Sequence, residues 1–186
     1  MNFFTYLTSD DIRYVHESSL EILEEVGLLV RNEKARNRFA HHGAVVDHET
    51  ELVRIPSAIV EKFRALIPPT ITLRGRDPAC DVTFPRELPV IATASSAPDI
   101  VDPVTGVTRR SRSDDIARIA HLINELPGYD VFSISTLADD APKDQFSLTR
   151  FYTALKNCVK PCRTSVYNIH EAEQVIKLGE LIAGSK

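Results

Sequence analysis

Residues 130–166 read DVFSISTLADDAPKDQFSLTRFYTALKNCVKPCRTSV. The run opens on Asp130-Val131-Phe132-Ser133-Ile134-Ser135, short and rich in β-branched and aromatic side chains, which predicts a strand. A polar loop from Thr136 to Pro142 follows. Phe146, Leu148, Phe151, Ala154 and Leu155 then predict a helix. After Lys160-Pro161 the chain returns to strand character at Cys162-Arg163-Thr164-Ser165-Val166. Strand, helix, strand in this order predicts two parallel strands joined by a crossover helix.

The same alternation extends to both sides. Upstream, Val90-Ile91-Ala92-Thr93-Ala94 is the mostly apolar run of a strand buried on both faces. A small-residue loop, Ser95-Ser96-Ala97-Pro98, leads to a hairpin whose arms are Ile100-Val101 and Val107-Thr108. Asp102-Pro103-Val104-Thr105-Gly106 supplies its turn. Ser113 is placed to cap a helix with Ile116, Ile119, Ala120 and Ile123 on one face, broken by Pro127-Gly128. Downstream, Asn168 with Glu171 three residues on is a capping-box start. The helix it opens carries Ile169, Ala172, Val175, Ile176, Leu178, Leu181 and Ile182.

Alternation of this kind is an α/β pattern with two candidate architectures, a doubly wound sheet and a (β/α)8 barrel. No G-x-G-x-x-G or G-x-x-x-x-G-K-[ST] stands at a strand–helix junction, which weighs against a nucleotide-binding doubly wound domain. A barrel takes roughly 250 residues. Residues 89–186 supply the first three βα units of one, so the expected fold is the N-terminal part of a (β/α)8 TIM-type barrel, incomplete in this chain. An open three-stranded piece exposes strand edges and apolar helix faces. It should therefore be completed by further chain or associate with another copy.

Residues 1–88 read differently, as a small α+β appendage. Thr8 or Ser9 caps a helix carrying Ile12, Val15, Ser19, Ile22, Leu23 and Val26, and Gly27 ends it. Leu28-Leu29-Val30 is a short strand. Asn32 caps a second helix ending at Gly43. Ala44-Val45-Val46 and Leu52-Val53-Arg54-Ile55 form a hairpin across Asp47–Thr50. Pro56 opens a third helix with Ile59, Val60, Phe63 and Leu66, stopped by Pro68-Pro69, and Ile71-Thr72-Leu73 is a further strand.

Composition narrows the function. The 186 residues carry a net charge of -4, with 43% hydrophobic and 26% charged residues, which gives no reason to expect nucleic acid or an anionic membrane as partner. No run of about 18 apolar residues is present, and the apolar start Met1–Leu7 lacks a basic flank and a cleavage site. Cys80, Cys158 and Cys162 form no disulfide framework, which fits reduced thiols in the cytoplasm. His41, His42 and His48 have no ligand grouping around them, so no metal site is assigned. Arg109, Arg110 and Arg112 read as a solvated basic run. No serine, cysteine or lysine nucleophile has a paired base at interpretable spacing.

Four stretches carry a resemblance. They are Ile12–Val30 (IRYVHESSLEILEEVGLLV); Arg54-Ile55-Pro56 with Thr72–Pro78 (TLRGRDP); Ala97–Asp102 (APDIVD) with Thr105-Gly106, Arg109, Ser113, Asp114 and Asp115; and Asn157 with Lys160-Pro161. Their order and spacing resemble the N-terminal part of the trimethylamine methyltransferase family, the corrinoid-dependent enzymes that demethylate trimethylamine, glycine betaine and related methylated amines. The resemblance implies methyl transfer from an amine nitrogen to the cobalt of a corrinoid (cobalamin) carried by a cognate partner protein, with no cofactor held by this chain. It also implies that this portion alone is inactive or nearly so. The family often has a glycine-rich loop after the first barrel strand, and here that loop is Ala94-Ser95-Ser96-Ala97.

A barrel places its pocket at the carboxyl ends of the strands. The candidate substrate-binding residues are therefore Ser95, Ser96 and Asp99 after the first strand, Thr136 (beside Ser135) after the second, and Tyr167 and Asn168 after the third. Asp99 would balance a cation, Tyr167 would offer a ring face, and Asn168 would hydrogen-bond a carboxylate. Each has a plainer reading: Asp99 starts the hairpin, Asn168 caps a helix, Tyr167 packs, and the serines are loop. No catalytic residue is assigned. The alternative for the whole chain is a non-catalytic remnant or binding module that self-associates.

Overall fold

The computed structural model describes residues 6–94 and 97–184. Two compact units divide at Pro68/Pro69, within the stretch read from sequence as one appendage of residues 1–88.

In the first unit, helix α1 (Ser9–Glu21) starts because Thr8 and Asp11 satisfy each other's backbone. Asp11 N–H donates to Thr8 Oγ1 at 3.2 Å, and Thr8 N–H donates to the Asp11 carboxylate at 2.8 Å. The helix runs on through a wider turn at Ile22–Val26 and stops at Gly27. Gly27 has φ 80, and a Cβ there would stand 2.6 Å from the Val53 carbonyl oxygen, so both conformation and space require glycine. Strand β1 (Leu28–Leu29) follows, then helix α2 (Glu33–His41), capped by the Asn32 side chain accepting from Ala35 N–H. Strands β2 (Val45–Asp47) and β3 (Leu52–Arg54) form the expected hairpin, and β3 also pairs with β1, giving an antiparallel sheet in the order β1-β3-β2. Helix α3 (Ser57–Arg64) closes the unit, with Pro56 just before its first turn. Val53 is the one fully buried hydrophobic residue described in this unit.

The second unit opens with an antiparallel pair, β4 (Ile71–Leu73) and β5 (Val82–Phe84). β5 was not legible as a strand. The loop between them is pinned by Asp81, which accepts from Gly75 N–H and pairs with Arg74. The hairpin β6 (Asp99–Val101) and β7 (Thr108–Arg110) lies where the turn chemistry puts it, with Asp102 accepting from Val104 and Thr105 N–H. Helix α4 (Ser113–Glu125), strand β8 (Phe132–Ser133), helix α5 (Phe146–Asn157), strand β9 (Cys162–Arg163) and helix α6 (Ile169–Ala183) complete the described chain.

The predicted parallel pairing is present. β8 and β9 pair in parallel, and the stretch around Ala92–Ala97 lies parallel to residues 131–136 through bridges Ala92–Val131 and Ala97–Thr136. Thr93 Oγ1 donates to the Ser133 carbonyl at 2.8 Å. The regular strands are shorter than the sequence suggests, and the first parallel segment is held by separate bridges instead of a continuous ladder. Among the described residues no barrel is closed: the fold is mixed α/β with small sheets. Ile116, Ala120 and Ile123 of α4 and Ala154 of α5 bury one core with Phe132, Ile134, Ala138 and Cys158, so both crossover helices cover the same side of the strands.

Two local expectations change. Arg112, not Ser113, occupies the N-cap of α4, where Asp115 accepts its backbone N–H. Ser113 instead donates to Asp140 through both N–H and hydroxyl. The buried face of α5 is Ser147, Arg150 and Ala154; Phe146, Leu148, Phe151 and Leu155 are only half-buried. A polar face turns inward there because it meets the carbonyl-rich ends of the parallel strands.

Candidate functional site

Past Ile134 the second parallel segment leaves β9, and its carbonyl groups need donors that β9 no longer supplies. Arg150 provides them. Its Nη2 donates to the Ile134 carbonyl at 2.7 Å and its Nε to the Thr136 carbonyl at 3.1 Å. The side chain is 2% exposed, and burial pushes the guanidinium below the ordinary arginine pKa. The Phe146 ring lies one helical turn earlier, with the guanidinium carbon 5.5 Å from its centroid, and Tyr167 packs against Phe146 at 5.6 Å. Glu171, also buried, accepts Ser147 N–H at 2.9 Å through Oε2 and the Asn168 side-chain amide at 3.0 Å through Oε1. Hydrogen bonding from Ser147 holds its carboxyl below the usual range. A cavity of about 480 Å³ opens beside these groups, lined by Ala138, Asp139, Ala141, Lys143, Phe146, Tyr167 and Glu171. It lies between the loops that follow the second and third parallel strands, the end at which an α/β fold of this kind holds its ligands.

The sequence candidates divide around this cavity. Tyr167 lines it and is 61% exposed. Thr136 lies behind it, 4% exposed, its carbonyl taken by Arg150. Asn168 is a helix cap: its Oδ1 accepts Glu171 N–H at 2.9 Å and its amide is spent on the Glu171 carboxylate. Asp99 stands apart on β6, opposite Arg110 at 3.3 Å, in its hairpin role. Ser95 and Ser96 lie outside the described residues. From sequence Phe146 and Glu171 had only helix roles, and Arg150 had none. The signal for Arg150 was an arginine spaced with Ser147 and Ala154 on one helical face, where an apolar count sees nothing.

The recurring motifs hold the frame. Arg109 forms a two-pronged pair with Asp115 at 2.7 and 2.9 Å and faces Asp102 at 3.6 Å, so it is not part of a solvated run. Hydrogen bonding from Arg109 lowers the Asp115 carboxyl from its usual value. Lys160 donates to the Ile123 and Leu126 carbonyls at 2.8 Å each, closing the C-terminus of α4. Cys158 is in the core with Cys162 packed against it. Among the described residues no group of three His, Cys, Asp or Glu side chains gathers to hold a metal, and no helix is long and apolar enough to cross a membrane.

Fold and site thus define a mixed α/β protein with parallel strands and a cavity among the loops at their carboxyl ends. The chain belongs to the trimethylamine methyltransferase (MTTB) family, whose profile matches residues 1–186. A trimethylamine methyltransferase of Desulfitobacterium hafniense is 25% identical over 179 residues, covering 96% of this chain and 36% of that protein. A glycine betaine methyltransferase of the same species is 26% identical over 185 residues, covering 98% of this chain and 38% of that protein. An L-carnitine:corrinoid methyltransferase of Eubacterium limosum is 26% identical over 163 residues, covering 81% and 33%. The chain spans about a third of the length of these relatives.

Proposed function

We propose that these residues form the first part of an enzyme that takes a methyl group from the nitrogen of a methylated amine and passes it to the cobalt of a corrinoid held by a partner protein. The observation that carries this reading is the family match along the whole chain, joined to a cavity at the carboxyl ends of its parallel strands. The corrinoid is the acceptor substrate and arrives with its own protein. This chain's share of the work is to bind and orient the donor: methyl transfer gains from holding the carbon in line with the attacking atom and from keeping water away. The loops after the second and third strands provide one wall for that purpose. Three strand ends enclose only part of a pocket, so residues 1–186 alone are expected to bind the donor weakly and to transfer no methyl group without further strands.

The test combines the longest polypeptide that carries these residues with a corrinoid protein reduced to cobalt(I). Trimethylamine, glycine betaine and carnitine are offered in turn. Methylation of the corrinoid, read by its absorbance, together with the demethylated amine supports the reading. No transfer from any of the three refutes it. The exposed apolar side chains of α6, Ile169, Ile176 and Leu181, favour one second reading, a module that associates through this face. It predicts a defined oligomer without methyl transfer.

A further inference from the structure

The first unit holds a cavity that the methyl-transfer reading leaves unused. It measures about 740 Å³, the size of a small-molecule site, and runs between α2 and α3. Phe39 lines it from α2, Ile59 and Phe63 from α3. Leu23 and Ile55 join them, tied together by the Ile55 N–H donating to the Leu23 carbonyl at 2.9 Å. Close packing sets one wall. Gly43, at φ 98, lets the turn after α2 approach so near that a Cβ there would stand 3.0 Å from Ile59 Cδ1. The His42 ring then meets Phe63 edge-on, with 5.1 Å between centroids. The polar side chains on the lining are those of Arg38, His42 and Arg64, and no carboxylate is among them. Among the described residues Arg36 pairs with Glu51 and Arg64 with Glu61, while Arg38 pairs with no acid. Lys62 adds a further positive charge, its ammonium 6.0 Å from the Phe63 centroid. Glu61, the one acid of α3, is already committed. One of its carboxylate oxygens lies 2.7 Å from His16 Nε2, and the other accepts from Arg64 Nε at 2.9 Å.

We propose that this groove binds a long-chain carboxylate, its chain laid between α2 and α3 and its head held by Arg38 and Arg64. An apolar lining takes the chain out of water, and a mouth bearing cations and no free acid selects a negative head. A single charge fits better than the double charge of a phosphate monoester, because the groove takes in the last turns of both helices, whose carbonyl ends are negative. The ligand is opposite in charge to a methylated amine. The site is therefore separate from binding of the methyl donor and does not rest on the methyl-transfer reading.

Titration calorimetry on the longest polypeptide that carries these residues tests the idea with two probes of equal chain length, dodecanoate and dodecylammonium. Both are used below the concentration at which they form micelles. Dodecanoate is expected to bind at least about tenfold more tightly, as one charge attraction at a partly dry mouth allows. Arg38→Gln, at an exposed position, should weaken dodecanoate about fivefold and leave the cationic probe unweakened. Ile67 lines the groove and is 61% exposed, so Ile67→Glu should fold normally, and the carboxylate it brings should reverse the preference. Circular dichroism checks the fold of both variants. Equal affinity for the two probes overturns the proposal. So does a preference that neither substitution moves, since the probe then binds elsewhere, as on the exposed apolar face of α6. Absence of dodecanoate binding overturns it as well. A defined oligomer that Ile67→Glu dissociates would then give the groove to a second copy, and a monomer would give it to other parts of the chain.

Discussion

Replacing Asp115 by asparagine removes the charge that ties the β6–β7 hairpin to α4. Asp115 is 3% exposed and accepts three hydrogen bonds, two from Arg109 and one from Arg112 N–H. Asparagine keeps one acceptor oxygen and turns an NH2 group toward a guanidinium. Losing a buried, charge-assisted pair costs about 3–5 kcal/mol when the remaining partner stays buried. The Arg109 side chain is 34% exposed, so water takes over part of its solvation, and about 2 kcal/mol is the expected loss. For a chain of this size that is a fall of roughly 4–8 °C in Tm. The effect depends on pH with a definite sign. Because the folded carboxyl titrates below its unfolded value of about 3.9, the stabilisation is present above that pH and is lost as pH falls through the folded pKa. Urea unfolding followed by circular dichroism at pH 7 and pH 3 checks both points. The gap between wild type and Asp115→Asn should narrow at pH 3. Equal stability at pH 7, or a gap that does not narrow in acid, would refute this account of the pair.

Gly27→Ala should destabilise the first unit by more than about 1 kcal/mol, since it meets a positive φ and the Val53 carbonyl together, with the loss seen as earlier thermal melting. Asn168→Ala should cost about 1 kcal/mol through loss of the α6 cap, while Asn168→Ser retains a capping oxygen without setting a second carboxylate against Glu171; amide exchange over residues 169–172 would detect the fraying, and equal protection in both variants would contradict the capping role. Lys160→Met keeps the aliphatic stem but leaves two α4 carbonyls without their charged donor. It should lower unfolding stability by about 1.5 kcal/mol, and no change in urea midpoint would count against that contact.

The helices were legible because their ends are written in local chemistry. Thr8 or Ser9, Asn32, and Asn168 with Glu171 announce themselves by residue type and spacing alone, and the structure caps the helices with Thr8, Asn32 and Asn168, adding a reciprocal Thr8–Asp11 pair that was not anticipated. Parallel pairing was legible from alternation. Strand extents were not, because pairing depends on partners far along the chain. The Val90–Ala94 run looks like a full strand yet is held only at separate points, while Val82–Phe84 gains its strand from the register with Ile71–Leu73. Hydrophobic periodicity found Ala154 and Phe151 on the core side of α5 but missed the polar half of the buried face, Ser147 and Arg150. That face is set by unpaired carbonyls of Ile134 and Thr136, a demand invisible in the helix's own sequence.

The same reasoning separates what the family motifs do from what the site does. Asp102, Arg109, Asp115 and Lys160 recur in the resemblance, and in the fold each fastens one element to the next. They therefore report architecture. Phe146 and Glu171 lie outside those motifs and line the cavity instead, and Arg150 stacks on the Phe146 ring. If relatives share the frame and differ in the methylated compound they demethylate, the variation belongs in the α5 face and the two loops above it. A swap of residues 143–146, which leaves the buried Ser147 and Arg150 in place, between chains that prefer different donors should then move donor preference and leave the unfolding midpoint nearly in place. A swap of residues 102–115 should do the reverse.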